Sequence, residues 1–439
     1  MSSLTLKKLA IRGTVWTLVG YGLSQGLRLG ANLCLTRLLA PEMFGLMALV
    51  NVFILGLTLF SDIGISASIV QHDRGEESDF LNTAWTLQII RGFLLWFCCL
   101  ALAIPVAKFY GEAQLSWLIP IVGFTTVIAG FNSTALFTFK RRLSLGKLTI
   151  FELGIQALSL AVMLFWAWFD RSIWALIVGN LVAESVKTIL SHHLISGSKN
   201  RLAWEKKAIA DIFAFGKWIF ASTAMTFLAA QADRIILGKL LSFQLLGVYN
   251  IALIFAELPK MVIMKIGDRV IFPVISRQLS LPRTQLRQKI LERRRSILLI
   301  SAPLLAIFVG CGDLVILQLY DNRYQDAAWM LPILAFGIFP NLLAATMAPS
   351  LLAIGKPLYA AWGNLFKFCY MAIALPLGYS LFGVLGAVIV VACNDIPFYL
   401  VVSYGLWREK INAIVQDLIF TLFLIGLIIL IFTIKSFLQ

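Results

Sequence analysis

Apolar segments of about 20 residues follow one another almost without interruption from Trp16 to Phe432, and about 20 residues is the length a helix needs to cross the hydrocarbon core of a bilayer. Spans are expected near 14–36, 43–66, 82–106, 115–138, 149–169, 172–195, 211–237, 245–267, 296–320, 327–350, 358–380, 383–406 and 416–434, about thirteen in all with boundaries good to a few residues. Composition points the same way: the chain is 60% hydrophobic and 13% charged, where soluble domains run at about 45–50% and about 25%. A soluble enzyme with one anchor is excluded. Lys7, Lys8 and Arg12 before an apolar stretch resemble a signal sequence. The stretch is too long and lacks a small-residue cleavage site, so it reads as a first helix that stays.

The charged residues set orientation. The net charge is +15, from 37 Lys and Arg against 22 Asp and Glu. In a soluble protein that excess would suggest nucleic acid. Here about 23 of the basic residues fall on the N-terminus and the even-numbered connections, Arg74, Lys140, Arg141, Arg142 and Arg294 among them, against about six on the other side. The asymmetry places the N-terminus in the cytoplasm and requires no nucleic-acid partner. The longest inner connection, 268–295, sets Leu286, Ile290 and Leu291 between Arg283, Arg287 and Lys289, the pattern of a helix lying on an anionic leaflet. No soluble domain is expected on either side, so the chain reads as a device for moving something and not as an enzyme. Six cysteines (Cys34, Cys98, Cys99, Cys311, Cys369, Cys393) lie in apolar runs without CxxC or Cys/His spacing, and His192–His193 reads as an interfacial loop pair. No metal and no cofactor is expected.

The chain repeats at about half length. Ser116-Trp117-Leu118-Ile119-Pro120 through Phe124 matches Ala328-Trp329-Met330-Leu331-Pro332 through Phe336, and Phe109-Tyr110-Gly111 recurs as Leu319-Tyr320-Asp321. Arg37-Leu38-Leu39 through Gly45 parallels Lys239-Leu240-Leu241 through Gly247, and Gly146-Lys147 parallels Gly355-Lys356. An even number of spans separates the matches, so the halves share one orientation and form a parallel repeat. The expected architecture is all-α integral membrane, about 12–14 helices in two six-helix bundles over 1–200 and 201–410, with an extra helix in 411–439.

Polar residues recur inside the spans at helical spacing. Thr17, Tyr21, Ser24, Arg28 and Asn32 form one stripe, with Gly22, Gly26 and Gly30 on the opposite face as a row for close helix packing. Asn51, Thr58 and Asp62 follow; then Asn180, Glu184 and Lys187; then Ser222, Thr226 and Asp233 beside Arg234; then Asn250, Glu257 and Lys260. Arg91 and Lys367 lie deep in their spans. A charge at that depth costs at least about 2.5–3.5 kcal/mol, so these positions are functional candidates. Lys217, Lys265 and Arg269 near the inner interface read as snorkelling. Glu184–Lys187 and Glu257–Lys260, at i,i+3, are equally readable as structural pairs, and Asp233 as a counter-ion to Arg234 or Arg28. The excess of cations suits an anionic substrate, phosphate above all, held by Arg and Lys.

Arg37-Leu38-Leu39-Ala40-Pro41-Glu42-Met43-Phe44-Gly45-Leu46, the stretch Gln71 to Gly92 and Asp233-Arg234-Ile235-Ile236-Leu237-Gly238 through Tyr249 together resemble the polysaccharide transporter family. That family belongs to the multidrug/oligosaccharidyl-lipid/polysaccharide exporter superfamily. The resemblance implies a flippase that moves undecaprenyl-pyrophosphate-linked oligosaccharide to the outer leaflet of the bacterial inner membrane by alternating access, for O-antigen, capsule or exopolysaccharide. Arg28, Arg234 and Lys260, helped by Arg91, Lys187 and Lys367, are the positions that fit the pyrophosphate. Coupling to proton, sodium or membrane potential, through Asp62, Asp233 or Glu257, stays open. Polysaccharide polymerase and glycosyltransferases are implied partners, and a monomer is the default. The competing readings are a cation-coupled multidrug exporter, which would call for an acidic cavity, a membrane polymerase or ligase, which would call for a long outer loop, and a non-transporting scaffold, which the buried charges disfavour.

Overall fold

The computed structural model describes residues 3–142, 144–194, 200–276 and 282–438, with side chains described at all of these except 3–15, 18, 214–222, 261–276 and 438. The snorkelling expectation for Lys217, Lys265 and Arg269 therefore lies outside the described residues. Every element described is helical, and the chain divides into two compact units, Met1–Ala224 and Met225–Gln439.

The first unit holds α1 (Ser3–Leu38), α2 (Pro41–Phe60), the short α3 (Ile65–Gln71), α4 (Ser78–Tyr110), α5 (Leu115–Gly130), the short α6 (Ala135–Arg141), α7 (Leu145–Phe169) and α8 (Trp174–Ser191). Helix α9 (Lys206–Leu240) runs across the division. The second unit continues with α10 (Phe243–Ser276), α11 (Arg283–Leu319), α12 (Asp326–Ala345), the short α13 (Ala348–Ala353), α14 (Leu358–Ala392), α15 (Ile396–Arg408) and α16 (Ile414–Leu438). Each segment expected to cross the membrane falls on one of these helices or on two that adjoin. Among the described residues eight helices meet a length-and-apolarity test for a span, or nine with the pair α5 and α6, which bends by 65°. Large apolar side chains such as Phe165, Phe169, Leu381 and Phe382 are exposed on them, the surface a lipid-embedded chain presents.

The breaks carry information. Helix α2 stops at Phe60, Gly64 takes a left-handed φ of 73°, and α3 starts one residue later. Asp62, expected inside a span, lies in this break, where its carboxylate accepts from the Gly64 N–H at 2.9 Å. Helix α14 reverses at Gly383 (φ 60°), which separates the spans expected at 358–380 and 383–406. Gly386 lies so close to the Gly378 carbonyl that a Cβ there would meet it at 2.1 Å. The repeated sequence segments take like positions: Trp117 and Pro120 open α5 before the break and α6, and Trp329 and Pro332 open α12 before α13.

Two expectations are corrected. The Gly22, Gly26 and Gly30 row of α1 is open: among the described residues, a Cβ added at any of the three would have no atom of another helix within 4 Å, so no packing seam is seen there. Helix α1 packs on α7 through Gly20, where a Cβ would meet Thr149 at 2.0 Å, and through Ser24, whose hydroxyl and carbonyl both bond Gln156. The basic inner segment near 283–295 does not lie apart on the leaflet either. It is the start of α11, with Leu286, Ile290, Arg294 and Ile297 buried as one helical stripe.

Candidate functional site: two charged cavities inside the membrane helices

Burying a charge in a low-dielectric interior requires a partner or water. The structure gathers every charged candidate for substrate contact or ion coupling except Arg28 into two cavities, one in each unit.

The cavity of the first unit, about 390 Å³, is lined by Thr58, Asp62, Gln88, Arg91, Asn132, Lys140, Glu152 and Lys187, with apolar residues between them. It forms where two broken helices meet α4. Arg91 donates from Nε to Ser61 Oγ (2.9 Å) and from Nη2 to the Thr58 carbonyl, so it caps the open end of α2. One turn earlier, Gln88 Nε2 donates to the carbonyls of Ala129, Gly130 and Asn132, each at 3.1 Å, and caps α5. One face of α4 thus satisfies both breaks, as a membrane interior demands of interrupted helices. Lys187 pairs with Glu184 at 2.9 Å, and Glu184 also accepts from Asn132 Nδ2 at 2.8 Å, so the i,i+3 pair forms.

The cavity of the second unit is smaller, about 90 Å³, and more heavily charged. Asp233, Arg234, Glu257, Lys260, Lys367, Asn394 and Asp395 line it. The Asp233 carboxylate accepts from the Tyr249 hydroxyl at 2.6 Å; no hydrogen bond or close ion pair joins it to Arg234 among the described residues, although the two charges line the same cavity. Arg234 donates from Nε to Asn250 Oδ1 (3.0 Å) and from Nη1 to Gln231 Oε1 (2.6 Å). Lys367, 9% exposed, is paired with Asp395, 5% exposed. Glu257 and Lys260 line the same wall with no ion pair between them among the described contacts. The first cavity keeps the expected excess of cations, with Arg91, Lys140 and Lys187 against Asp62 and Glu152, and the second does not. Three carboxylates (Asp233, Glu257, Asp395) face three cations (Arg234, Lys260, Lys367), because like charges this close would repel one another unless balanced.

Arg28 stands apart: it is exposed on α1, and no hydrogen bond or ion pair to it is found among the described residues. The sequence reading missed Asp395, Gln88, Tyr249 and Asn132 as parts of these sites. Asp395 sits in the short turn Cys393–Asp395 after α14, off any helical stripe, and Gln88 is uncharged. Arg294, assigned above to an inner connection, is fully buried. It bonds Thr346 Oγ1 (2.8 Å) and the Leu343 carbonyl (2.9 Å) and pairs with Asp417 at the start of α16. At the other end of α16, Lys435 pairs with Asp313 of α11. No group of three or more His, Cys, Asp or Glu able to hold a metal occurs among the described residues.

On the first unit's loop side, Arg74 holds Glu77 (2.7 Å) and Glu205 (2.8 Å), and Arg142 holds Glu76 (3.0 Å). The Arg142 hydrogen bond keeps the Glu76 carboxyl below its ordinary value, against the opposing effect of burial. Arg141 donates to the Ile69 and His72 carbonyls at the end of α3.

Residues 34–329 match the family described as "Polysaccharide biosynthesis protein". The teichuronic acid biosynthesis protein TuaB of Bacillus subtilis (strain 168) is 25% identical over 67% of this chain and 61% of its own length, so the match spans less than two thirds of that relative. The lipopolysaccharide biosynthesis protein WzxC of Escherichia coli (strain K12) is 24% identical over 62% of this chain and 56% of its own. Among solved structures, the lipid II flippase MurJ in an inward closed conformation superimposes with a TM-score of 0.69 at 13% identity, over 97% of this chain and 98% of that one. An inward-facing multidrug resistance transporter of the MATE family, in the MOP superfamily, gives 0.70 at 13% identity, over 90% and 98%. These two likenesses establish a shared helical membrane fold.

Proposed function

We propose, for a chain that belongs to the polysaccharide biosynthesis protein family, that it flips a polyprenyl-pyrophosphate-linked oligosaccharide from the cytoplasmic to the outer leaflet of a bacterial inner membrane by alternating access. The observation that carries this reading is the pair of charged cavities lined by residues of the membrane helices and the breaks between them. Charge held at such depth is costly and is retained where something polar must pass. The relatives' names, teichuronic acid biosynthesis and lipopolysaccharide biosynthesis, supply the substrate class. Such a step breaks and forms no covalent bond.

The residues divide the work. Arg28, exposed and without a described partner, makes the first contact with the pyrophosphate. Arg234 and Lys260 hold it deeper, with Arg91, Lys187 and Lys367 contributing field. Because the second cavity is charge-balanced, an entering pyrophosphate competes with Asp395 for Lys367 and with Asp233 and Glu257 for the field. Neutralising those carboxylates by proton or sodium uptake lowers that cost, and Asp62, Asp233 and Glu257 are the positions proposed for coupling. The membrane potential adds about 2.3 kcal/mol per mobile charge per 100 mV. Sugars stay in polar surroundings while the prenyl chain remains in lipid. A polymerase and glycosyltransferases act on either side of the step, and the chain works as a monomer.

The test is complementation of a flippase-deficient strain, read by surface polysaccharide and by the leaflet in which lipid-linked glycan accumulates. Arg28→Ala and Lys260→Ala, expressed at wild-type level, should abolish surface polymer and trap glycan on the inner face. Unchanged export in both would defeat the reading.

A further inference from the structure

Beside the two charged cavities lies a third space of different character. It is a groove of about 640 Å³ between α11 and α16, lined by Arg287, Leu291, Arg295 and Leu299 from one helix and mainly by apolar residues, Ile419 and Phe423 among them, from the other. The α11 residues recur at every fourth position, so they form one stripe. The two helices run parallel: Arg287 Nε donates to the Asn412 carbonyl (2.8 Å), Gln416 Nε2 to the Leu291 carbonyl (2.9 Å), and Lys435 meets Asp313 far along both. The buried Arg294–Asp417 pair fixes their spacing from behind the groove. The seam is therefore fixed along its length, partly by Arg287 and Gln416, which line the groove themselves, and partly by the pairs Arg294–Asp417 and Lys435–Asp313, which do not.

Its chemistry is polarised along its length. Two guanidinium groups stand at the end where both helices begin, and no carboxylate lines it among the described residues. Arg295 is exposed and makes no described contact, and helical geometry aims its side chain back toward Arg287. Beyond them Leu299, Ile419 and Phe423, all exposed, make an apolar trough. A cationic mouth on an apolar trough is complementary to a lipid whose headgroup carries net negative charge and whose acyl chain lies along the helices. Guanidinium groups grip phosphate bidentately, and basic pockets between membrane helices on the cytoplasmic side select anionic headgroups.

We propose that this groove is a binding site for an anionic glycerophospholipid of the cytoplasmic leaflet, with Arg287 and Arg295 on the headgroup phosphate and an acyl chain along Leu299, Ile419 and Phe423. Such a lipid fills the outer side of the α11–α16 seam. Occupancy is separable from transport, because no residue assigned to the pyrophosphate path lines the groove.

Native mass spectrometry of the purified full-length protein, titrated with phosphatidylglycerol, phosphatidylethanolamine and a polyprenyl phosphate, tests it. Phosphatidylglycerol should bind about tenfold tighter than phosphatidylethanolamine. Arg295→Gln should erase that preference, Arg295→Lys should restore most of it, and Leu299→Trp, which fills the trough, should weaken both phospholipids. Three results would each overturn the assignment: no preference in the wild type, an undiminished preference in Arg295→Gln, or displacement of phosphatidylglycerol by polyprenyl phosphate at equal or lower concentration. The last would give the groove to the carrier lipid instead.

Discussion

A guanidinium with no access to water must find its own counter-charge, and Arg294 finds it in Asp417 on a helix from the far end of the chain. Removing one member leaves the other buried and unpaired, a loss of about 3–5 kcal/mol. Arg294→Ala should therefore lower the thermal midpoint and the yield of detergent-solubilised protein. Arg294→Met with Asp417→Leu should recover part of the stability, because both buried charges are removed together, while the Tyr399 hydroxyl loses its acceptor. At the surface the stakes are smaller. Glu76 is 43% exposed at its side chain, so its tie to Arg142 contributes under about 1 kcal/mol. Its folded-state value is depressed below 4.5; the contribution is complete above the unfolded value and disappears as pH falls through the folded one. The small difference in thermal midpoint between wild type and Glu76→Gln, present at neutral pH, should thus close below pH 4.5. These residues show where a sequence stops being legible. Lys367 and Arg91 declare themselves by their depth in apolar runs, which is a local property. Asp395 and Asp417 become meaningful only through partners on other helices, and Arg294 reads as part of a connection because three arginines in a row look like an interface.

The order of the spans and most of their ends are readable from the sequence, because apolar run length is tied to the thickness of the bilayer; helix lengths are less so, since α1, α10 and α11 continue to 36, 34 and 37 residues, past their apolar runs. Packing faces are not readable. The Gly22, Gly26 and Gly30 row has the spacing of a seam and meets no other helix among the described residues, while Gly20, outside any motif, meets Thr149. Periodicity shows which residues share a face; it does not show which face meets a neighbour. The difference is measurable. Gly20→Val should cost about 1–3 kcal/mol through overpacking, whereas Gly26→Ala should be neutral or stabilise α1 by about 0.5–1 kcal/mol through lost backbone freedom in the unfolded chain. Thermal unfolding of the two variants separates the faces. Breaks inside helices are partly hidden for a related reason. Asp62 and Asn132 look like polar points in a span, and only the caps supplied by Arg91 and Gln88 show that the helices end there.

For the molecule as a whole, the net +15 and the helix count bear on one question, the placing of the two ends. Helix α16 runs parallel to α11, tied to it by Arg287–Asn412 near one end and Asp313–Lys435 near the other. Parallel neighbours begin on the same side of the membrane. If the basic cluster at the start of α11 faces the cytoplasm, as the orientation rule argues, then α16 also begins there and Lys435 lies toward the outside. The loop-side ion pairs do not weaken that argument: Arg74 and Arg142 are matched by Glu77, Glu205 and Glu76, and the orientation rule counts basic residues, not net charge. A green fluorescent protein fused before Ser3 should fluoresce, and alkaline phosphatase fused after Lys435 should be active. Moving the phosphatase to follow Lys410, before α16, should abolish its activity, since one helix fewer leaves the enzyme in the cytoplasm. Active phosphatase at Lys410 together with inactive phosphatase at Lys435 would invert the whole molecule and with it the assignment of the Arg287–Arg295 groove to the cytoplasmic leaflet.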